Sequence, residues 1–383
     1  MTSAYITGFG VFMPNAPVGN EEMETVLGLI NNSPSRSRKI ILRKNGIKTR
    51  YYAIDPNTGK ITHNNAQLTA EAIRVLAKNF NFPLNELECL VSGTSCPDQL
   101  MPNHAVMVHG ELNSPPCEVV CTAGVCCSGA TALKYGYMSV ISGLTKNAIV
   151  TGSEVASKVL KAANFQAEID AKVKDLEQNP IIAFEKDFLR WMLSDGAGAW
   201  LIENSPRPDG ISLRIDWIDI VSFANELDAC MYMGCEKRSD GSVQGWQEVE
   251  NPQEVWENSY FAVKQDTRLL GPNVMPYAVK RAFESCRKKY GLKPEEITWF
   301  LPHYSSEFFK QELHDLFVEI GFPIPYEKWF TNLSWKGNTG SAAIYIILEE
   351  LMSTGKVQKG DKVLCFIPES SRFSYSYVLL TAV

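Results

Sequence analysis

The chain has 383 residues, 45% of them hydrophobic and 21% charged, with a formal net charge of -6 and a pI near 5.6. That composition allows a large buried core and provides no basic stripe, so nucleic acid is excluded as a partner class. No apolar run reaches the roughly 18 residues of a membrane helix, and ten cysteines without a secretory leader point to a reducing, cytoplasmic setting rather than a disulfide scaffold. The Cys117, Cys121, Cys126, Cys127 spacing and the Cys230, Cys235 pair lack the C-x2-C pattern of a zinc site, so no metal is expected.

In chain order, Met1–Gly10 reads as a strand running into a glycine turn, too weak a signal for a nucleotide site. Arg36-Ser37-Arg38-Lys39 and Arg43-Lys44 are basic clusters, open to two readings: a solvated face or a contact for an acidic carrier. Cys89–Thr94 is a short apolar strand. Glu118–Val125 is a strand and bend, and Ala130–Val140 has helical spacing. Cys127 therefore falls where an extended run becomes a helix. There the positive end of the peptide dipoles is expected to lower a thiol's pKa; the alternative is a small apolar residue in a tight turn.

A thiol nucleophile needs a proton partner, and only His63, His104, His109, His303 and His314 are available. His303 follows the strand-like Ile297–Pro302, at the C-terminal end where α/β sites gather. Further on, Trp329–Leu333 and Gly337–Ala343 read as strand, glycine turn and helix, with Asn338 at the turn. A neutral amide there can donate to an oxyanion without protonating it. Alone, His303 also reads as a satisfied strand-end histidine and Asn338 as a turn cap.

The two halves of the chain echo each other. Cys89–Thr94 matches Trp299–Tyr304 in style, Cys126–Leu133 matches Gly337–Ile344, and Ala148–Glu154 matches Val363–Glu369, in the same order. Two α/β halves are expected, 1–206 with Cys127 and 207–383 with His303 and Asn338. The break falls near Pro206–Gly210.

With Lys44–Tyr51, Cys126–Gly129, Gly152–Glu154, Leu193–Ala199, Leu301–His303 and Gly337–Thr339 in this order, the whole chain resembles the thiolase superfamily, and within it the ketoacyl-acyl-carrier-protein synthase III enzymes. The resemblance implies a layered αβαβα fold and an acyltransferase in which Cys127 carries the acyl group. His303 and Asn338 would then stabilise enolate and oxyanion, with a second backbone donor near Ser371. It implies phosphopantetheine-borne substrates on acyl carrier protein or coenzyme A met by Arg43 and Lys44, no other cofactor, and a homodimer. Met101 aligns with a position that relatives insert into the partner's tunnel, and equally reads as a plain interface methionine.

Several positions depart from the synthase III pattern. Ile40 stands where many relatives stack an aromatic ring on coenzyme A, Tyr304-Ser305-Ser306 follows His303, and Pro368–Tyr375 replaces a glycine-rich loop; the last two put aromatic and hydroxyl groups near the expected site, so the pocket should differ in shape. The segment of about 155–192 is longer than in a plain synthase III, and Phe165, Ile169, Val173 and Leu176 fall at helical intervals. Together these resemble the bacterial ketosynthase/cyclases that make cyclohexanedione precursors of dialkylresorcinols and stilbenes. Glu154, ending a buried strand, is the candidate base for ring closure; its alternative is a cap on a neighbouring turn. An ordinary chain-initiating synthase, a cysteine hydrolase and a non-catalytic acyl-binding partner remain as other readings.

Overall fold

The computed structural model describes residues 3–35, 37–167 and 189–383. Nine strands form one sheet: β1 (Tyr5–Phe12), β2 (Cys89–Thr94), β3 (Glu118–Ala123), β4 (Asn147–Glu154), β5 (Gly196–Glu203), β6 (Leu213–Ser222), β7 (Trp299–Pro302), β8 (Lys362–Glu369) and β9 (Ser374–Ala382). Their order is β7-β8-β9-β6-β1-β5-β4-β2-β3. The seam lies between β1 and β6, which share only the pairs Tyr5↔Arg214 and Ile6↔Leu213.

On either side of that seam the pattern repeats. In the first half β2 runs parallel to both β3 and β4, and β5 pairs antiparallel with β4 and with β1. In the second half β7 runs parallel to β8, and also to Trp329 through a single bridge from Phe300, while β9 pairs antiparallel with β8 and with β6. The loop joining the halves, 204–212, carries Gly210 at φ 84°. This is the thiolase-type fold that the resemblance implies.

Parallel strands need crossovers, and helices supply them on both faces. In the first half α1 (Asn65–Phe80) and α2 (His104–Leu112) pack against each other and cover the outer face. α1 begins with a reciprocal cap in which Asn64 accepts from the Gln67 N–H and Gln67 from the Asn64 N–H. The second half is covered by α4 (Thr267–Pro276), which continues as a wider turn through Phe283 and on to Tyr290, and by α5 (Lys310–Glu319). Between the halves lie α3 (Cys126–Ile141) and α6 (Ala343–Ser353).

Those two central helices share one core, in which Leu133, Ile344 and Leu348 meet Val150, Ile202, Val363 and Leu380. The boundary near 206–210 thus divides the topology and not the packing. Small residues permit the approach. A Cβ on Gly129 would stand 2.4 Å from the Ser341 carbonyl oxygen, and one on Gly152 2.2 Å from the same atom. The Tyr345 hydroxyl donates to the Gly129 carbonyl at 2.8 Å across the contact.

The long 155–192 segment is described only at its ends. Phe165 is buried against Ala262 and Ile30, while Ile169, Val173 and Leu176, with the rest of 168–188, lie outside the described residues. Trp191 packs into a cluster with Tyr52, Ile54 and Leu160. No described helix is long and apolar enough to cross a membrane, and no group of metal-ligating side chains occurs among the described residues.

The central contact predicts an asymmetric response to a single methyl group. Gly129→Ala should lower stability by about 1–3 kcal/mol because the obstructing atom belongs to the backbone. Gly110→Ala, where a new Cβ meets nothing within 4 Å, should be neutral or stabilising. Urea unfolding midpoints of the two variants test this.

Candidate active site

A cavity of ≈ 70 Å³ opens where the halves meet, and residues of both line it. His303, Asn338, Gly340, Pro368 and Ser370 come from the second half, and Ser95, Val125, Cys126 and Glu154 from the first. Leu189, Met192, Met231, Val263, Leu270 and Val274 make most of the remainder apolar. A dry, low-dielectric wall of this kind strengthens any hydrogen bond to a developing charge.

Each polar group arrives at the end of a regular element. His303 follows β7 and is held by its N–H donating to the Phe366 carbonyl at 2.9 Å. It is 3% exposed. Burial drives its pKa down to about 4, so at neutral pH the imidazole is uncharged, with one donor and one acceptor nitrogen. Asn338 stands in the turn before α6. Its N–H donates to the Met192 carbonyl at 3.0 Å and its own carbonyl accepts from the Ser194 N–H at 2.8 Å, which ties the turn to the first half. The Asn338 Oδ1 accepts from the Gly340 N–H at 3.0 Å. The donating end of the amide is therefore the one left for the cavity.

Cys127 lies in the first turn of α3, buried, with its Sγ 3.4 Å from the Ile367 carbonyl oxygen. Its neighbours Val125 and Cys126 form the cavity wall directly. The sequence expectation of a lowered thiol pKa is corrected here. Burial, then the Glu369 carboxylate, then Cys126 push the Cys127 thiol well above its ordinary value. Desolvation of a thiolate together with a like charge outweighs the helix terminus.

Glu369 was not singled out as a site residue, yet it touches the nucleophile turn. Its Oε2 accepts from the Cys127 N–H at 2.9 Å and the Val125 N–H at 3.0 Å. Its Oε1 accepts from the Ser371 hydroxyl at 2.6 Å. The signal for it lay in the matched strand runs, since Glu154 ends β4 as Glu369 ends β8. The two carboxylates act reciprocally across the seam. Glu154 accepts from the Ser341 N–H at 3.2 Å in the turn before α6, and from the Ser95 N–H at 3.1 Å and hydroxyl at 2.6 Å. Burial raises its pKa against the lowering pull of those donors.

The remaining expected residues are placed differently. Ser371 reaches the site through its hydroxyl on Glu369, while its carbonyl accepts from the Cys230 N–H at 2.8 Å; Ser370 is the loop residue at the cavity. The aromatic residues that looked like pocket remodelling are core. Tyr304, Phe373 and Tyr375 are buried in the second-half cluster, and the Tyr375 hydroxyl donates to the Val274 carbonyl at 3.0 Å. Ser305 alone of 304–306 lines the cavity. Met101 is 86% exposed on a surface loop beside Leu100, away from this cavity. Arg43 and Lys44 are exposed in the last turn of the helix Arg38–Asn45, and the Lys44 ammonium lies 5.6 Å from the centre of the exposed Phe308 ring. Ile40, in the same helix, is exposed.

The chain is similar to several known proteins. The family model for the C-terminal part of 3-oxoacyl-[acyl-carrier-protein (ACP)] synthase III matches residues 287–366. The beta-ketoacyl-[acyl-carrier-protein] synthase III of Clostridium perfringens is 26% identical over 365 residues, covering 95% of each chain. That of Aquifex aeolicus is 26% identical over 362 residues, covering 94% of this chain and 93% of the other. Among solved structures, the tetronic acid condensing enzyme AbyA1 superposes with a TM-score of 0.74 at 17% identity over 99% of both chains. Xanthomonas campestris OleA with bound lauric acid and lauroyl-CoA gives 0.72 at 17% identity, again over 99% of both.

The neutral state of His303 has a measurable consequence. A folded-state pKa of about 4 against an ordinary 6.5 means that its contribution to stability is complete above pH 6.5 and is lost as pH falls from there through 4. The full loss is roughly 3 kcal/mol. His303→Gln should flatten the acid limb of the stability-against-pH curve by about one proton. NMR of labelled imidazole should show His303 unprotonated at pH 5.5.

Proposed function

We propose that this chain, an acyltransferase-type condensing enzyme with the thiolase fold, joins two acyl thioesters through an acyl-Cys127 intermediate. The observation that carries the reading is the meeting of the nucleophile turn, the uncharged His303 and the donating end of Asn338 at one buried, mostly apolar cavity.

In the first step the Cys127 sulfur attacks the carbonyl carbon of an acyl thioester. A new C–S bond forms, the carrier's C–S bond breaks, and the carrier sulfur leaves with the proton that Cys127 gives up. Splitting the reaction in this way replaces one difficult step by two easier ones. A second thioester then passes its α-proton to a cavity base, for which Glu154 is the candidate, or loses carbon dioxide if it is a malonyl unit, to give an enolate. His303 and Asn338 donate to the enolate oxygen, which neutral donors in a dry site stabilise without quenching. Its α-carbon attacks the acyl-Cys127 carbonyl, the C–C bond forms, and the sulfur leaves as thiolate and recovers a proton.

The finer reading is a ketosynthase/cyclase. At least one substrate would be a β-ketoacyl thioester, and a second, intramolecular condensation would close a cyclohexanedione ring of the dialkylresorcinol or stilbene type. Glu154 supports this reading as a carboxylate at the cavity whose burial raises its pKa toward the range useful for proton transfer. The carriers would be acyl carrier protein or coenzyme A, with Arg43 and Lys44 as exposed cations for phosphate or acidic contacts and Met101 at a homodimer contact. The names of the C. perfringens and A. aeolicus relatives favour a second reading, an ordinary synthase III that uses malonyl-carrier and releases a linear β-ketoacyl product.

Intact-protein mass spectrometry after incubation with acyl thioesters on both carriers separates the readings. An acyl adduct on the wild type that disappears in Cys127→Ala is expected, with a cyclic product when a β-ketoacyl thioester is supplied. A linear, malonyl-dependent product would replace the cyclase by the ordinary synthase. A folded protein that forms no adduct with any donor would leave the non-catalytic acyl-binding reading. His303→Ala and Asn338→Ala should keep the adduct and lose condensation by about 100-fold or more, the scale of a lost oxyanion donor.

A further inference from the structure

The Cys127 N–H has a special place in acyl transfer. Once Cys127 is acylated, the carbonyl carbon is one bond from Sγ, so its oxygen falls within reach of the same residue's N–H, and the tetrahedral oxyanion that precedes the acyl-enzyme forms there too. In this structure the position is taken. The Glu369 Oε2 accepts from the Cys127 N–H at 2.9 Å and from the Val125 N–H at 3.0 Å, and the side chain is 6% exposed. A carboxylate and a developing oxyanion cannot share one N–H pair, because both are negative and both need the same donors.

We propose that Glu369 is a resident occupant of the acyl-oxygen site, holding the Cys127 and Val125 N–H groups in the free enzyme and surrendering them to the carbonyl oxygen of an arriving acyl group. This rests on the reading that Cys127 is the acylated residue.

A comparison with Glu154 separates this role from that of a simple cap. Glu154 is clamped at both oxygens by backbone and hydroxyl donors of Ser95 and Ser341, and the nearby turn serves Asn338, not a nucleophile. Glu369 holds the nucleophile's own N–H with one oxygen, and its other oxygen is held by a hydroxyl two residues along its own chain. Its flanking residues Pro368 and Ser370 line the cavity. A rotation of the Glu369 side chain would release the N–H pair without moving β8 or α3. The arrangement also explains how a nucleophile can be kept quiet. With a carboxylate on its helix end the thiol stays protonated, and removal of the carboxylate both withdraws a like charge and frees the donors.

The test uses the full-length protein with Glu369→Gln, which keeps the shape and an acceptor oxygen but not the charge, and Glu369→Asp, which keeps the charge but is one methylene shorter and cannot span both N–H groups from the same backbone. Two rates are read at Cys127 by peptide mass spectrometry, since nine other cysteines are present: alkylation by iodoacetamide as a function of pH, and single-turnover acylation by acyl-coenzyme A. Glu369→Gln is expected to move the alkylation midpoint down by at least one pH unit, about a tenfold gain at pH 7, and to speed acylation. Glu369→Asp should speed acylation with a smaller movement of the midpoint. A residue that only caps α3 would lower the melting temperature and, whatever its charge does to the alkylation midpoint, leave the acylation rate per thiolate unchanged in folded variants, which overturns the inference. If no thioester acylates even the wild type while the alkylation midpoint still moves, the acyl-thioester reading fails and the occupancy of the N–H pair by Glu369 stands. If acylation proceeds at the same rate in all three proteins with an unmoved midpoint, only the inference about Glu369 fails.

Discussion

The contact between α3 and the turn that leads into α6 is the constraint on which the rest of the molecule depends. Backbone meets backbone there, with Gly129 and Gly152 both against the Ser341 carbonyl and Tyr345 bonded to Gly129. Close-packed interiors do not absorb an added atom at such a point. The two helices consequently hold the two half-sheets at one separation, and every group at the cavity inherits its position from that separation. Cys127 is two residues before Gly129 on α3, and Asn338 is three residues before Ser341.

Two buried glutamates reinforce the same seam in opposite directions. Glu154 ends a first-half strand and accepts from the turn before the second-half helix, and Glu369 ends a second-half strand and accepts from the turn before the first-half helix. A buried carboxylate needs such donors, because an unpaired charge in that environment carries a large desolvation cost. Each carboxylate has a donor in its own half, Ser95 for Glu154 and Ser371 for Glu369, but its other donors come from the opposite half, so neither half satisfies these groups fully alone. The chain is therefore two repeats by topology and one unit by energetics.

The candidate catalytic groups in this arrangement are tuned chiefly by burial. Desolvation holds His303 neutral and lifts the Cys127 thiol and the Glu154 carboxyl above their ordinary ranges. All three shifts favour the uncharged form. The resting cavity thus holds a neutral imidazole, a neutral amide and the hydrogen-bonded Glu154, while the Cys127 thiol and Glu369 belong to the residues just behind its Val125, Cys126, Pro368 and Ser370 wall. Such a set donates hydrogen bonds to a new negative charge more readily than it generates one.

The amino-acid sequence by itself determined the half-repeat, the order of strands and turns, and the positions of Cys127 at a helix start, Asn338 in a glycine turn, and His303 and Glu154 at strand ends, because those features follow from local periodicity, small-residue turns and matched motifs. It did not determine which way a side chain faces. Tyr304, Phe373 and Tyr375 looked like pocket groups from their place in the chain and proved to be core, since an aromatic ring gains more by close packing on all sides in that apolar cluster than by lining an open cavity. Nor could it set the state of the thiol. A helix N-terminus is legible in one dimension, whereas the carboxylate that lies on it comes from Glu369, 242 residues away, and only the folding of one half against the other brings them together.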